Sequence, residues 1–195
     1  MRKGRWLVAL GLIAAAAAGP AAAQERGIYL GGSLGTAQYK ELCDDVTLGS
    51  CKEDDTGWRA FAGYQLNRNF ALELGYANLG EVGASGLFLG LPTSFVTEVK
   101  GFDLSAILSF PLMERLSLLA RLGAYRLRTT ADVDIAGAVS GAGESNSGLT
   151  YGLGLGTDIG KLGIRAEWQR YENAGGGATG EDTIDFFSLG ALFRF

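Results

Sequence analysis

The sequence predicts an all-β protein: an eight-stranded antiparallel barrel, up-and-down in order, that crosses a membrane. Three observations predict it. Apolar and polar residues alternate with period two in eight segments of about ten residues, the pattern of transmembrane strands. The connections between them alternate between short and long. One face of every segment is apolar and free of charge.

The first 23 residues stand apart. Arg2, Lys3 and Arg5 form a basic start, 6–18 is an apolar run, Gly19-Pro20 breaks it, and Ala21-Ala22-Ala23 supplies small residues. This is the layout of a secretory signal peptide cut after Ala23, leaving 24–195 as the barrel domain. The apolar run is short for a spanning helix, which needs about 20 residues. Removing the leader takes three of the 17 basic residues and no acid. The remainder has 14 basic against 21 acidic residues, a net charge of −7. That balance speaks against nucleic acid as a partner, since phosphate binding needs a basic stripe.

The strands are expected at 27–39, 57–66, 70–79, 96–110, 116–128, 148–159, 162–171 and 183–195. Short turns fall at 67–69, 111–115 and 160–161; long loops at 40–56, 80–95, 129–147 and 172–182. Tight turns on one side and long loops on the other match periplasmic and extracellular ends. The apolar face includes Ile28, Leu30 and Leu34, then Trp58 and Tyr64, Leu72 to Tyr76, and Phe102 to Phe110. It continues through Leu118 to Ala124, Leu153, Leu155, Trp168, and Phe187 to Phe195.

The opposite face carries Arg59, Glu73, Asp103, Arg121, Asp158, Arg165, Glu167 and Arg194, with glycines filling much of the rest. A lipocalin-like barrel would show these charges to water; a membrane barrel would turn them inward. Their balance of sign, the aromatics near strand ends, and the glycines beside the charges all favour the interior. Eight strands enclose a space just wide enough for side chains. The lumen is therefore expected to be a packed polar core holding this ion-pair network. In lipid an open sheet edge has no partner, so the sheet must close.

Cys43 and Cys51 lie close together in an acidic segment. In a secreted chain they are expected to form one local disulfide. Two thiols without any histidine make a poor metal site. Glu41, Asp44, Asp45, Glu53, Asp54 and Asp55 surround them with no EF-hand spacing, and read as a solvated acidic loop. In the second loop Leu87, Phe88, Leu89, Leu91 and Phe95 form an apolar run. It fits a strand extension, a loop over the mouth, or an adhesive surface. Residues 136–147 and 175–180 are small and are expected to be mobile.

The stretches GWRAFAGYQLN (57–67) and NFALELGY (69–76) resemble the second and third strands of OmpA-like barrels. LGIRAEWQ (162–169) and SLGALFRF (188–195) are similar to their seventh and last strands. The resemblance covers the whole chain after the leader. It implies an integral outer-membrane protein of a Gram-negative bacterium, monomeric and bathed in outer-membrane lipid and lipopolysaccharide. It implies that Glu73 and Arg165 pair across the lumen and that Arg121 is the inward base of the fifth strand. The family's inward glutamate on the sixth strand is replaced here by Gly156, so its internal gate is not copied in full. Phe187, Leu189, Ala191, Phe193 and Phe195 resemble the C-terminal signal read by the outer-membrane assembly machinery. No peptidoglycan-binding domain is expected after the last strand, which likens the chain to barrel-only members of OmpX-like size.

No cofactor and no enzymatic activity are expected. Outer-membrane barrel enzymes mostly use a histidine base, and this chain has none. Glu73 and Glu167 lie among arginines, which favour ionised, inert carboxylates. The expected role is structural or surface-interacting, in envelope integrity or in adhesion to a host or matrix ligand through the loops. A narrow channel or small-ligand carrier, gated by the lumenal ion pairs, is the alternative.

Overall fold

The computed structural model describes residues 27–40, 50–52, 54–88, 91–135, 138–176 and 180–195. The expected leader, Cys43 and the acids Glu41, Asp44, Asp45 and Glu53 lie outside them. The described elements are all strands: β1 (Gly27–Tyr39), β2 (Ser50–Lys52), β3 (Asp54–Asn67), β4 (Phe70–Phe88), β5 (Leu91–Pro111), β6 (Leu116–Ile135), β7 (Ala138–Ile159), β8 (Leu162–Gly176) and β9 (Gly180–Arg194). The long strands are the eight staves. Each pairs antiparallel with its sequence neighbours, and β1 pairs with β9 from Tyr29↔Arg194 to Tyr39↔Ile184 to close the barrel. The short β2 lies beside the far part of β4.

Alternation sets the two faces. Along β1, Leu34 is 67% exposed while Tyr29 is fully buried. Successive side chains of a strand point to opposite sides, so each stave gives one set to lipid and one to the lumen. The outward band runs over 102–110 in β5, close to the ~9–11 tilted residues that cross a bilayer. Aromatics mark its upper rim. Trp58, Tyr76 and Phe102 pack across β3, β4 and β5 with ring centroids 5.7 and 4.9 Å apart. Tyr151 and Trp168 do the same across β7 and β8 at 6.0 Å.

The lower turns are tight for local reasons. Asn67 Oδ1 accepts from the Asn69 amide at 2.9 Å, closing an Asx turn. Gly160 and Lys161 join β7 to β8, and Gly160 takes φ of 62° at the first turn position, the pattern of a II′ hairpin.

The upper connections correct the sequence expectation. Most of 80–95, 129–147 and 172–182 is paired strand, not loop. β4 and β5 pair out to Phe88↔Leu91, and β6 and β7 out to Ile135↔Ala138. Leu87, Phe88, Leu91 and Phe95 of the second loop's apolar run are thus in paired strand, and 138–147 belongs to β7. Two of these three stretches begin at a bulge; 129–147 does not, β6 and β7 staying in register throughout. The register shifts between Asn78 and Glu81, where Gly80 has φ of 83°, and between Tyr171 and Ala174, where Asn173 has φ of 54°. A bulge inserts residues that break the alternation without ending the pairing. The expected strand ends at Leu79 and Tyr171 coincide with these slips of phase.

Candidate functional site

Below the bulges the lumen is layered. The layer nearest the short turns is apolar: Tyr29, Phe61, Ala71, Ile107, Leu119 and Leu192. The layer nearest the long hairpins is apolar too, and larger, with Tyr39, Leu79, Val99, Tyr125, Leu127, Tyr171, Ile184 and Phe186 among its members. The charges lie between. Up β4 the inward order is Ala71, Glu73, Gly75, Ala77, Leu79, and up β6 it is Leu119, Arg121, Gly123, Tyr125, Leu127. The expected packed polar core is therefore a polar layer between two apolar ones. The sequence reading followed the charges and left out the large apolar residues that share their parity.

Glu73 is the hub of the middle layer. Its Oε1 lies 2.8 Å from Arg59 Nη1 and 2.8 Å from Arg121 Nη2. Its Oε2 accepts from Arg165 Nη1 at 2.9 Å and from the Tyr29 hydroxyl at 3.1 Å. Asp103 takes both Arg59 Nε (2.9 Å) and Nη2 (2.7 Å), a two-point grip that fixes the guanidinium plane. Arg121 Nη2 also donates to Glu167 at 3.1 Å. Three arginines thus meet three carboxylates. A charge taken out of water is tolerated only with such compensation.

The neighbours make room for this cluster and support it. A Cβ on Gly75 would sit 2.3 Å from Arg59 Nη2, and one on Gly63 2.0 Å from the Tyr29 ring. The Arg165 guanidinium lies over Tyr29 and Phe61, 5.3 and 5.7 Å from their centroids. Cations over aromatic faces are favourable, so the lower apolar layer also holds the polar one in place. Gly156 pairs with Arg165 on the lumenal side, where the resemblance expects a glutamate. Besides Glu73, Arg121 meets a carboxylate from β8, that of Glu167.

Two expected members stand apart. Arg194 and Asp158 pair with each other at the short-turn rim, and the Asp158 side chain is more than half exposed. Outside the band, Arg170 grips Asp185 through Nε and Nη2 at 2.6 and 2.7 Å, and Lys40 Nζ lies 3.0 Å from the same carboxylate. This outward cluster was not anticipated. The sequence did not mark it, because that Arg170 and Asp185 face each other across β8 and β9 is set by the strand register. Cys51 lies in β2, but its pairing with Cys43 falls outside the described residues.

A closed eight-stave wall, apolar outside and ion-paired within, defines an integral β-barrel membrane protein. The family model of the OmpA-like transmembrane domain matches residues 23–195, and the chain belongs to that family. It is 28% identical to outer membrane protein A of Yersinia pseudotuberculosis over 201 residues, and 28% identical to that of Escherichia coli O157:H7 over 200. All of this chain is covered, but only 56% and 55% of those relatives, so the chain spans about half their length. Among solved structures it resembles neisserial surface protein A (TM-score 0.54, 17% identity, 87% of this chain and 97% of that one). It also resembles Ail of Yersinia pestis (TM-score 0.51, 20% identity, 87% and 99%). These likenesses show the fold, and the setting is the outer membrane of a Gram-negative bacterium.

Proposed function

We propose that this barrel is a closed, non-enzymatic anchor whose work is done at the cell surface by its extended hairpins. The observation that carries this reading is the contrast between a sealed lumen and a projecting sheet. Among the described residues, apolar layers lie above and below the polar layer. Meanwhile β4 to β7 continue beyond the aromatic rim as one antiparallel sheet. Among the described residues, β8 pairs with β7 only up to Thr150↔Tyr171 and touches it as far as Asn146, so 138–145 forms an edge. A strand edge without lysine or proline can accept an extended segment. Envelope integrity and adhesion to a host or matrix ligand both suit such a surface. The fold neighbour Ail has been crystallised with the heparin analogue sucrose octasulfate, which supports a host-ligand reading by analogy.

The test shortens the hairpins. Gly83 faces Val96 and Asp132 faces Gly141, so 84–95 and 133–140 can each be replaced by an Asn-Gly turn. The shortened barrel should still show a heat-dependent gel shift in detergent and should lose binding to host cells or matrix. Unchanged binding would defeat the adhesion reading.

The channel alternative draws on one observation. Arg121 Nε and Nη1 are buried without a hydrogen-bond partner among the described residues, in the middle of the polar layer. Planar-bilayer recording separates the two readings. The anchor reading expects silence from the wild type and from Glu73→Ala; steady openings in either would favour the channel. We further propose a leader cut after Ala23, a Cys43–Cys51 disulfide, and an assembly signal at Phe187, Leu189, Ala191, Phe193 and Phe195.

A further inference from the structure

The outer wall carries a second arginine cluster, and it is built the opposite way from the lumenal one. On β6, Arg126 and Arg128 face outward and are exposed. Arg128 lies directly across from Lys100 of β5, and Arg126 from Phe102. Like charges on facing residues are unfavourable. Glu98 relieves Lys100, its Oε2 lying 2.7 Å from Nζ. No described carboxylate forms an ion pair with Arg126 or Arg128. The next outward acid up β6 is Asp132, four residues beyond Arg128. On the other flank these arginines face the exposed hydroxyl residues Ser147 and Ser145 of β7. In a chain of net charge −7 once its expected leader is removed, an unneutralised basic cluster is not the background.

Height decides what it would meet. Phe102 belongs to the upper aromatic rim, and the wall below it is apolar and exposed through Leu104 and Leu122. The cluster therefore sits at the headgroup level of the outer leaflet, directly above acyl-chain territory. We propose that Arg126 and Arg128, with Lys100 and the two serines, bind the phosphoryl group of an outer-leaflet glycolipid. Its acyl chains then run down over Phe102 and Leu122. A phosphate offers several acceptor oxygens to planar guanidinium donors, and neutralises the facing cations. A freely soluble polyanion would gain nothing from the apolar wall below. This inference rests on the outer-membrane placement and is independent of adhesion.

The experiment uses the full barrel folded into zwitterionic phospholipid vesicles, with purified lipid A added either carrying both phosphates or carrying none. The readout is the midpoint of the heat-dependent gel shift and, by titration, the apparent affinity. The wild type should be stabilised by phosphorylated lipid A and much less by the dephosphorylated form. Each basic side chain near a charged surface contributes on the order of fivefold in affinity, so Arg126→Glu with Arg128→Glu should lose at least about thirtyfold. That variant should keep the wild-type midpoint in vesicles without lipid A, which shows that the barrel is intact. Arg126→Lys with Arg128→Lys should keep most of the affinity. Equal stabilisation by both lipid A forms would overturn the proposal. So would an unchanged affinity in the glutamate pair, or displacement by sucrose octasulfate with no response to lipid A.

Discussion

The lumen and the outer face of β6 both carry arginines, and the protein treats them in opposite ways. Inside, Arg59, Arg121 and Arg165 each reach a carboxylate within 3.1 Å, and Glu73 alone serves all three. Outside, Arg126 and Arg128 reach none among the described residues. The difference follows from the surroundings. A closed lumen offers no bulk water, so every charge there must be balanced by protein. At the headgroup level water and lipid can balance a charge, so a cation can be left available for a ligand. Balance without a free valence is the mark of structure; imbalance at an accessible height is the mark of binding.

The sharpest way to break this comparison is to remove one carboxylate from each side. Glu73→Ala leaves Arg165 without its carboxylate and takes one partner each from Arg59 and Arg121 in a closed lumen, and breaking a buried pair costs roughly 3–5 kcal/mol. The outward counterpart, Glu98→Ala, leaves a solvated lysine and should fall within the scatter of the measurement. Urea unfolding of the barrel in vesicles, followed by gel shift, checks both. Equal losses would dissolve the distinction between the two clusters.

A smaller effect tests whether the lumen is as tightly filled as the ion pairs require. Gly63→Ala places a Cβ against the Tyr29 ring, and overpacking of this kind costs about 1–3 kcal/mol. Combining it with Tyr29→Ala should cost less than the sum of the two changes, because the clash disappears with the ring. Strict additivity in the same unfolding assay would mean that the layer yields easily. The last effect, no larger than this, lies on the lipid side. Tyr76→Leu keeps an apolar outward residue but removes the ring that packs on Trp58 and Phe102. It should lose about 0.5–1.5 kcal/mol for each ring pair. A larger loss than that of Gly63→Ala would place the barrel's stability in its rim instead of its filling.

Much of this was legible in the chain. Period two assigns every second residue to one face, so Leu34, Leu74 and Leu189 could be sent to lipid, and Glu73 and Arg165 to the lumen, without a structure. Alternation also located the three short turns, because each interrupts the pattern for only two to five residues. The same rule would have placed Tyr29, Phe61 and Leu119 inside, since they share the parity of the charges. Attention to charge alone hid the two apolar layers. Two of the upper extensions, those of β4 and β8, were lost for a different reason. At Gly80 and Asn173 a bulge slips the phase, and a reading that depends on phase takes the slip for an end.

What the sequence determined by itself is the barrel: eight staves, their apolar outside and their charged inside. That information is local, because side-chain direction in a strand depends only on its neighbours. What only the tertiary structure decided is who meets whom. Glu73 and Arg165 are 92 positions apart and four staves apart in order. They touch because closure folds the sheet onto itself and stagger sets their heights. The same closure confines the charges between two apolar layers and leaves Arg126 and Arg128 facing out. No property of a single strand contains that distinction, since it depends on what lies across the enclosed space.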